Sequence, residues 1–247
     1  MGVAVAEFHD PRLVAVYETV NAYGPGEQPD FYAGLAAELG ARRIVDLGCG
    51  TGLITRALAA RGYAMVGVEP SPAMLAVART RPNAERVEWI EGGAGALGPL
   101  DADLAIMSGH VAQFFVGDDE WRDALLALRG ALRPGGTLAF ETRNPLACEW
   151  ETWSRATAVT VHDPRAGAIE TWTEVDAVDG DIVSFTNHYR FLATDDDVVS
   201  SARLRFRSEV ELRSTLAAAS FAIDRIYGDW DRRPATATTR ELILVAT

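Results

Sequence analysis

The chain has 247 residues, of which 48% are apolar, enough for one large α/β domain with an elaboration or a small subdomain. Its formal net charge is −12 and no block of Lys or Arg stands out, which argues against a nucleic acid or an anionic membrane as partner. The 2 cysteines, Cys49 and Cys148, make no disulfide or zinc pattern, so we predict no metal site.

No apolar run approaches membrane-spanning length, and residues 1–10 do not resemble a basic secretory leader. We therefore expect a cytoplasmic protein. Residues 11–20 carry a helical apolar stripe, and residues 31–39 indicate a second helix after a break at residues 21–26. We assign residues 1–40 to an N-terminal helical lid; the alternative is two surface helices that cover one edge of a sheet.

A glycine-rich turn at residues 45–52 (VDLGCGTG) joins a short buried strand, 44–47, to a helix, 53–60. Bare backbone in such a turn lets a ligand approach where a Cβ would collide with it. Glu69 ends the next apolar strand, 64–68, and its carboxylate is suited to accept both hydroxyls of a ribose. Together they predict a nucleoside site at the carboxyl edge of a parallel sheet.

This pattern resembles the class I S-adenosylmethionine (SAM)-dependent methyltransferases, whose first motif reads acidic-x-G-x-G-x-G. The alternative is the dinucleotide fingerprint G-x-G-x-x-G of dehydrogenases, for which Gly52 comes one position too early. Asp46 also favours a methyltransferase over a dehydrogenase, since its carboxylate suits a cationic amino-acid moiety and would repel a pyrophosphate. The resemblance covers roughly residues 40–145 and 208–247.

The resemblance implies SAM as cofactor and S-adenosylhomocysteine as product. Tyr17 or Tyr23 would face the SAM carboxylate, and Met74 would pack on adenine unless it is a plain core residue. The family's usual Gly-Asp-Ala step has Gly93 in place of its Asp, so adenine would be bound by backbone groups around Gly93 and Ala94 or by a group supplied elsewhere. The predicted cofactor-binding set is Tyr17, Tyr23, Asp46, Gly48, Cys49, Gly50, Gly52, Leu53, Glu69, Pro70, Met74, Gly92, Gly93, Ala94, Met107, Ser108 and Gly109.

Further elements follow the expected order of this fold. Strands are predicted at 87–90 and 102–107, then a helix at 121–132 and a strand at 137–141. The turn at residues 133–136 matches the family's L-[KR]-P-G-G-x-L segment and ends the helix.

From residue 156 to 206 the apolar period changes to two, with turn signals at 179–181 and 195–197. We predict a three-stranded antiparallel meander there, followed by a helix capped by Ser208 and by strands at 221–227 and 241–246.

The predicted fold is therefore α/β: a Rossmann-like doubly wound sheet, mostly parallel with an antiparallel last strand, plus an inserted antiparallel β meander. The core spans residues 41–150 and is completed by residues 208–247. The insertion, residues 151–207, would be an acceptor cap or a dimer surface, because exposed edge strands invite pairing into a homodimer.

Two histidines are the candidate catalytic bases. His110 follows the fourth strand at the ligand-binding edge, and His188 lies on the inserted meander. For each, the alternative is a histidine that only supports the local structure. Arg143 either binds an acceptor anion or pairs with a neighbouring acid. Trp150, Trp153 and Trp172 either wall the acceptor pocket or belong to the core.

The sequence thus predicts an enzyme that transfers a methyl group to a nitrogen or oxygen of a small-molecule acceptor, a metabolite or natural-product intermediate, by in-line displacement. The place of the insertion is similar to that in small-molecule N-methyltransferases, an analogy of topology only. The alternatives are a protein or RNA methyltransferase and a non-catalytic SAM-binding interaction module.

Overall fold

The computed structural model describes residues 5–24 and 27–247; Pro25 and Gly26 of the predicted break lie outside the described residues. Two sheets carry the architecture. The strands of the larger sheet are β1 (Arg43–Leu47), β2 (Ala64–Glu69), β3 (Val87–Glu91), β4 (Ala102–Met107), β5 (Leu132–Arg143), β10 (Ile223–Tyr227) and β11 (Glu241–Ala246). Those of the smaller sheet are β6 (Val159–Asp163), β7 (Gly167–Asp179), β8 (Ile182–Phe191) and β9 (Asp196–Arg205).

The larger sheet has seven strands in the order β10-β11-β5-β4-β1-β2-β3. Strands β1 to β5 pair in parallel, and β11 runs antiparallel to both β5 and β10. The predicted fold class is confirmed, antiparallel last strand included. All five parallel strands present their carboxyl ends at one edge, where ligands bind in such sheets.

Helices cover both faces of the larger sheet. They are α1 (Pro11–Val20), α2 (Gln28–Glu38), α3 (Leu53–Ala60), α4 (Pro72–Ala78), α5 (Val111–Phe114), α6 (Asp118–Ala131) and α7 (Glu209–Ala218). Helices α2 and α3 pack on one face, and α6 and α7 on the other. This burial on both sides explains why the parallel strands read as short continuous apolar runs. No helix in the two described ranges is long and apolar enough to cross a membrane.

Side-chain caps begin three of the helices at the residues where the sequence places polar caps. Asp10 Oδ1 accepts from the backbone of Arg12 at 2.8 Å, and Ser71 Oγ and Ser208 Oγ each accept a backbone N–H at 3.2 Å. Each bond satisfies a donor that the first helical turn would leave unpaired. The Ser71 cap also places α4 directly after β2, beside Glu69.

The inserted sheet has four strands, so the prediction of three was wrong in number. The additional strand, β6, pairs with the first half of β7. Its five residues are mostly exposed on both faces, so they lack the clear apolar alternation from which the other three strands were read.

This sheet packs against α1, against α5 and against the chain after β5 through two apolar clusters. One joins Leu13 and Val16 of α1 to Ile169 and Tyr189. The other includes Phe185, with partly buried aromatic side chains from residues 114, 150 and 153 packed against it. The insertion therefore faces the carboxyl edge of the parallel strands.

The chain from β4 through β5 differs from the prediction in three details, the first being that β5 begins at Leu132 and so includes the predicted turn at residues 133–136. Helix α6 begins at Asp118, three residues earlier than expected, with acidic residues 118–120 in its first turn. The four-residue helix α5 was not predicted because one helical turn is too short to show an apolar period.

Candidate active site

The glycine turn after β1 places one glycine against open space and two against packed side chains. Gly48, Gly50 and Gly52 all have positive φ, of 78°, 57° and 75°. A Cβ at Gly48 would lie 2.6 Å from Val111, and one at Gly52 only 2.4 Å from Trp89. At Gly50 the nearest atom would be Met74 Cε, 3.7 Å away. Gly50 is therefore the glycine whose bare backbone is open to a ligand.

Glu69 is tied to the same turn. One carboxylate oxygen accepts the backbone N–H of Gly50 and the other that of Ser71, both at 2.9 Å. Burial raises the pKa of Glu69 above its ordinary value, while these two hydrogen bonds oppose the rise. A carboxylate has about four acceptor positions, so this one can still accept two ligand hydroxyls.

A cavity of about 780 Å³ opens at this edge of the sheet. Its walls come from the glycine turn, from α1 and the segment before it, from the chain after β4, and from β7 and β8 of the inserted sheet. The volume falls within the range of about 300–1,000 Å³ of small-molecule sites. The inserted sheet thus closes the side of the cavity opposite the larger sheet.

Comparisons with known proteins agree with this geometry. A methyltransferase domain family matches residues 44–136. The chain is 24% identical over 243 residues to the cypemycin N-terminal methyltransferase of a Streptomyces species, covering 96% of each protein.

Residues 44–136 carry the methyltransferase domain, and the chain has the fold of the class I SAM-dependent methyltransferases.

Solved structures of methyltransferases share the whole fold. The CcbJ methyltransferase from Streptomyces caelestis has a TM-score of 0.76 and 24% identity, with 94% of this chain and 95% of that chain covered. CalS10 of Micromonospora echinaspora, an amino pentose methyltransferase involved in calicheamicin biosynthesis, has a TM-score of 0.72 and 22% identity, with 94% of each chain covered.

The residues present in this methyltransferase fit its cofactor, SAM. Gly50 leaves the space that a Cβ would fill, and Glu69 presents acceptors for the ribose hydroxyls. Beyond Glu69 the cavity lining becomes apolar, through Pro70, Met74 and Ala94, which suits a planar base. When bound, SAM supplies a methyl group already activated by a sulfonium.

Most of the predicted cofactor-binding residues line the cavity. They are Tyr17, Tyr23, Gly48, Gly50, Glu69, Pro70, Met74, Gly93, Ala94, Ser108 and Gly109. Six others are not part of its lining: Asp46, Cys49, Gly52, Leu53, Gly92 and Met107. Gly52 packs under Trp89, a Cβ at Gly92 would lie 2.6 Å from Ala96, and Met107 is fully buried in the core.

Asp46 lies beneath the turn rather than in the cavity wall. Its carboxylate accepts from Thr55 Oγ1 at 2.7 Å and from Ser108 Oγ at 3.5 Å, and the residue is 1% exposed. Burial raises its pKa to about 7, with Glu141 adding like-charge repulsion. Asp46 would therefore attract the cationic amino-acid moiety of SAM without touching it, because Ser108 lies between Asp46 and the cavity.

Replacing Asp46 with asparagine should make the free energy of unfolding of the methyltransferase less dependent on pH. The folded protein holds the Asp46 proton up to a pH of about 7, against an ordinary pKa of 3.8, so wild-type stability falls as the pH rises between these values. We expect urea unfolding to show a smaller loss of free energy from pH 5 to pH 8 in Asp46→Asn than in wild type. Asp224→Asn, at an exposed position, is the control; equal losses in wild type and Asp46→Asn would contradict this assignment.

A buried carboxylate that was not predicted, Glu141 on β5, orders the chain after β4. It accepts the backbone N–H groups of Gly109 and His110 and the hydroxyl of Tyr32. Burial raises its pKa. His110 adopts a left-handed conformation with φ of 61°, which these bonds hold in place. Glu141 thereby positions the candidate base.

Both candidate catalytic histidines line the cavity. His110 Nε2 lies 3.0 Å from both carboxylate oxygens of Glu241 on β11. His188 Nε2 lies 2.9 Å from Glu174, and its ring stacks on Trp172 with centroids 4.5 Å apart. Each imidazole thus has a carboxylate partner on one nitrogen.

Arg143 and two tryptophans also reach the cavity. The Arg143 guanidinium pairs with Glu149 at 3.3 Å and with Gln113 at 3.0 Å, so the alternative of a paired arginine is the one observed. Trp153 and Trp172 contribute to the lining.

The N-terminal segment contributes cavity residues that were not predicted. Glu7 and Phe8 line the cavity beside Asn187 and Tyr189 of β8. No local motif marks Glu7, since it precedes the first helix as a single acidic residue. Only the packing of this segment against β8 and β9 reveals it.

Proposed function

We propose that this methyltransferase transfers the methyl group of SAM to a nitrogen or oxygen of a small-molecule acceptor, a metabolite or natural-product intermediate. One observation carries the proposal: the cavity that holds Gly50 and Glu69 continues to Trp172 and His188 of the inserted sheet. In this proposal residues 151–207 are the acceptor cap, and residues 1–40 the lid.

The chain's own task in such a reaction is mainly positional. Holding an acceptor atom in line with an activated methyl group contributes up to about 7–11 kcal/mol, provided water is excluded. The aromatic lining from the inserted sheet, from α1 and from α5 provides that exclusion. A hydroxyl acceptor must also lose its proton to become a strong nucleophile, and a protonated amine must lose one to have a lone pair.

His110 is the proposed proton acceptor. If Nε2 donates to Glu241, Nδ1 keeps the lone pair that can take a proton from the acceptor atom. The O–H or N–H bond then breaks, its electron pair stays on the acceptor atom, and Glu241 stabilises the imidazolium. His188 is the alternative, with Glu174 in the same relation to it.

A macromolecular acceptor is the second candidate, and one observation favours a peptide form of it. The relative matched along 96% of both chains is named for methylating an N-terminus, whereas CalS10 is named for an amino pentose. The net charge of −12 argues against RNA. A non-catalytic SAM-binding module is the remaining alternative.

Incubation with SAM and a panel of amino sugars, short peptides, hydroxylated metabolites and a structured RNA tests the proposal. Mass spectrometry should find one added methyl group on an amino sugar or a hydroxylated metabolite and stoichiometric S-adenosylhomocysteine, whereas methylation of the short peptides alone would favour the second candidate. SAM binding by calorimetry without any methylated product would favour the non-catalytic module, and methylated RNA would contradict the proposal.

Replacing His110 with glutamine should lower kcat by about 10²-fold or more, because a positioned base contributes about 10²–10⁴-fold. The affinity for SAM should stay within about threefold of wild type. His162→Gln is the matched control, since His162 is exposed on β6. An unchanged kcat in His110→Gln would move the role to His188, which His188→Gln then tests.

Two further expectations remain proposals. We propose a cytoplasmic enzyme, and a homodimer formed along β6, an edge strand whose Val159 is 57% exposed. Sedimentation of wild type and Val159→Arg tests the contact: only the variant should be monomeric.

A further inference from the structure

Glu7 is held from two sides at the boundary between the inserted sheet and the larger sheet. Its backbone N–H donates to Ser200 Oγ of β9 at 2.8 Å, and Asn187 Nδ2 of β8 donates to its carboxylate at 3.0 Å. The carbonyl of the next residue, Phe8, accepts from Ser71 Oγ, the cap of α4. The segment that carries Glu7 is thus held at the cavity wall by Ser71, Asn187 and Ser200, all more than sixty residues away in sequence.

Among the described residues, the hydrogen-bond partners of the Glu7 carboxylate are all neutral. Asn187, Tyr189 and Asn21 donate to it, and the other titratable group facing it is Tyr17. Within residues 5–24 and 27–247 it forms no ion pair at 4.0 Å or less. Burial raises its pKa. A buried carboxylate that lacks a cation is costly, and a cationic ligand would offset that cost.

The basic side chains that line the cavity do not fill this need. Three of them have acidic partners, and the fourth, His9, is exposed and forms no ion pair within the described residues. Arg143 pairs with Glu149, His110 with Glu241 and His188 with Glu174. The surroundings of Glu7 are aromatic, and aromatic faces attract cations. The rings that line the cavity include Phe8, Tyr17, Trp172 and Tyr189.

We propose that Glu7 binds the protonated amine of the methyl acceptor and so selects nitrogen over oxygen acceptors. This inference rests on the proposed function and narrows its acceptor to an aliphatic amine. Such amines are cationic at neutral pH, whereas an alcohol offers no charge to compensate the carboxylate. The nitrogen then loses its proton to His110, as for any acceptor of this site.

The ammonium group of SAM is a less suitable partner for Glu7. The side-chain contacts of Glu7 lie on β8 and α1, and its backbone contact lies on β9. Gly50 and Glu69, which mark the cofactor, belong to the larger sheet. Glu7 therefore belongs to the acceptor side of the cavity.

Calorimetric titration of the enzyme saturated with S-adenosylhomocysteine tests the proposal without requiring turnover. Two amine–alcohol pairs serve as probes: 3-amino-3-deoxyglucose with glucose, and alanyl-alanine with lactyl-alanine. We expect at least one amine to bind ten or more times as tightly as its alcohol, and Glu7→Gln to remove that preference. The two pairs distinguish a sugar amine from a peptide amine.

Thermal unfolding supplies a second readout, which reports the cost of the Glu7 charge in the absence of any ligand. Because the pKa of Glu7 is raised, its ionised form destabilises the fold above that pKa and its neutral form does not. Glu7→Gln should therefore melt about 2–4 °C higher than wild type at pH 8 and equally at pH 4. Asp176→Asn, an exposed carboxylate on β7, should change neither the melting nor the amine preference.

Three results would overturn the proposal: no amine preference in wild type, a preference that survives in Glu7→Gln, or a loss of SAM affinity in Glu7→Gln. Failure of the proposed function looks different. The amine would then bind with its Glu7-dependent preference, yet no panel member would be methylated.

Discussion

Replacing Gly50 with valine is expected to weaken SAM binding at least about 100-fold while the protein stays folded. The Gly50 backbone faces the cavity, and no protein atom comes closer than 3.7 Å to the position of an added Cβ. The valine side chain would therefore occupy ligand space rather than protein space. A 100-fold loss corresponds to about 2.7 kcal/mol. Calorimetric titration with SAM measures it.

Backbone strain is the effect that must be separated from this loss. Gly50 has φ of 57°, where a β-carbon costs roughly 1–2 kcal/mol. Gly40 has φ of 61° and nothing within 4 Å of an added Cβ, so Gly40→Val carries matched strain far from the cavity. Both variants should lose similar unfolding free energy in urea, and only Gly50→Val should lose SAM affinity. Equal SAM affinity in the two variants would disprove the placement of the cofactor at Gly50.

Replacing Glu69 with alanine is expected to weaken SAM binding by roughly 10²–10⁴-fold. Each hydrogen bond to a charged group contributes about 1.5–3 kcal/mol, and two ribose hydroxyls would lose their acceptor. The change also leaves the N–H groups of Gly50 and Ser71 without their partner, which loosens the turn. Glu69→Gln separates the two effects, since one amide oxygen keeps one of these bonds. Calorimetry of both variants gives the comparison.

Glu91 provides the matched control. It pairs with Glu69 in register at the end of β3 and is exposed, so Glu91→Ala should bind SAM like wild type.

The pH dependence of SAM affinity provides a further test of Glu69. Ribose binding needs the ionised carboxylate, so wild-type affinity should fall on acidification as the pH approaches the raised pKa of Glu69. In Glu69→Gln this pH dependence should disappear.

The elements of the larger sheet could be predicted closely from the sequence. Helix α1 and strand β11 have the predicted bounds, and the glycine turn and Glu69 lie at the expected edge. These features depend on signals within about ten residues: apolar periods, capping side chains and glycines in a turn. The weakly patterned strand β6 shows the limit of that approach.

The cavity lies at the predicted edge of the larger sheet. Several residues that were predicted to bind the cofactor because they adjoin the glycine turn or a strand end do not line it. Asp46 and Met107 lie at strand ends, yet Met107 points into the core and Asp46 lies under the turn. Successive side chains of a strand face opposite sides, so being next to a binding residue does not imply contact with the ligand. Cys49, Gly52 and Leu53 lie outside the cavity lining although they are part of the turn or follow it directly.

The class of fold and the glycine turn beside Glu69 could be predicted from the sequence, because both arise from short-range backbone preferences and apolar periods. Which side chains meet on the inserted-sheet side of the cavity depends on the tertiary structure. Glu7 and Asn187 are 180 residues apart, and Glu141 reaches Tyr32 across 109. No local pattern encodes such a meeting, because it results from packing the inserted sheet and α1 against the edge of the larger sheet.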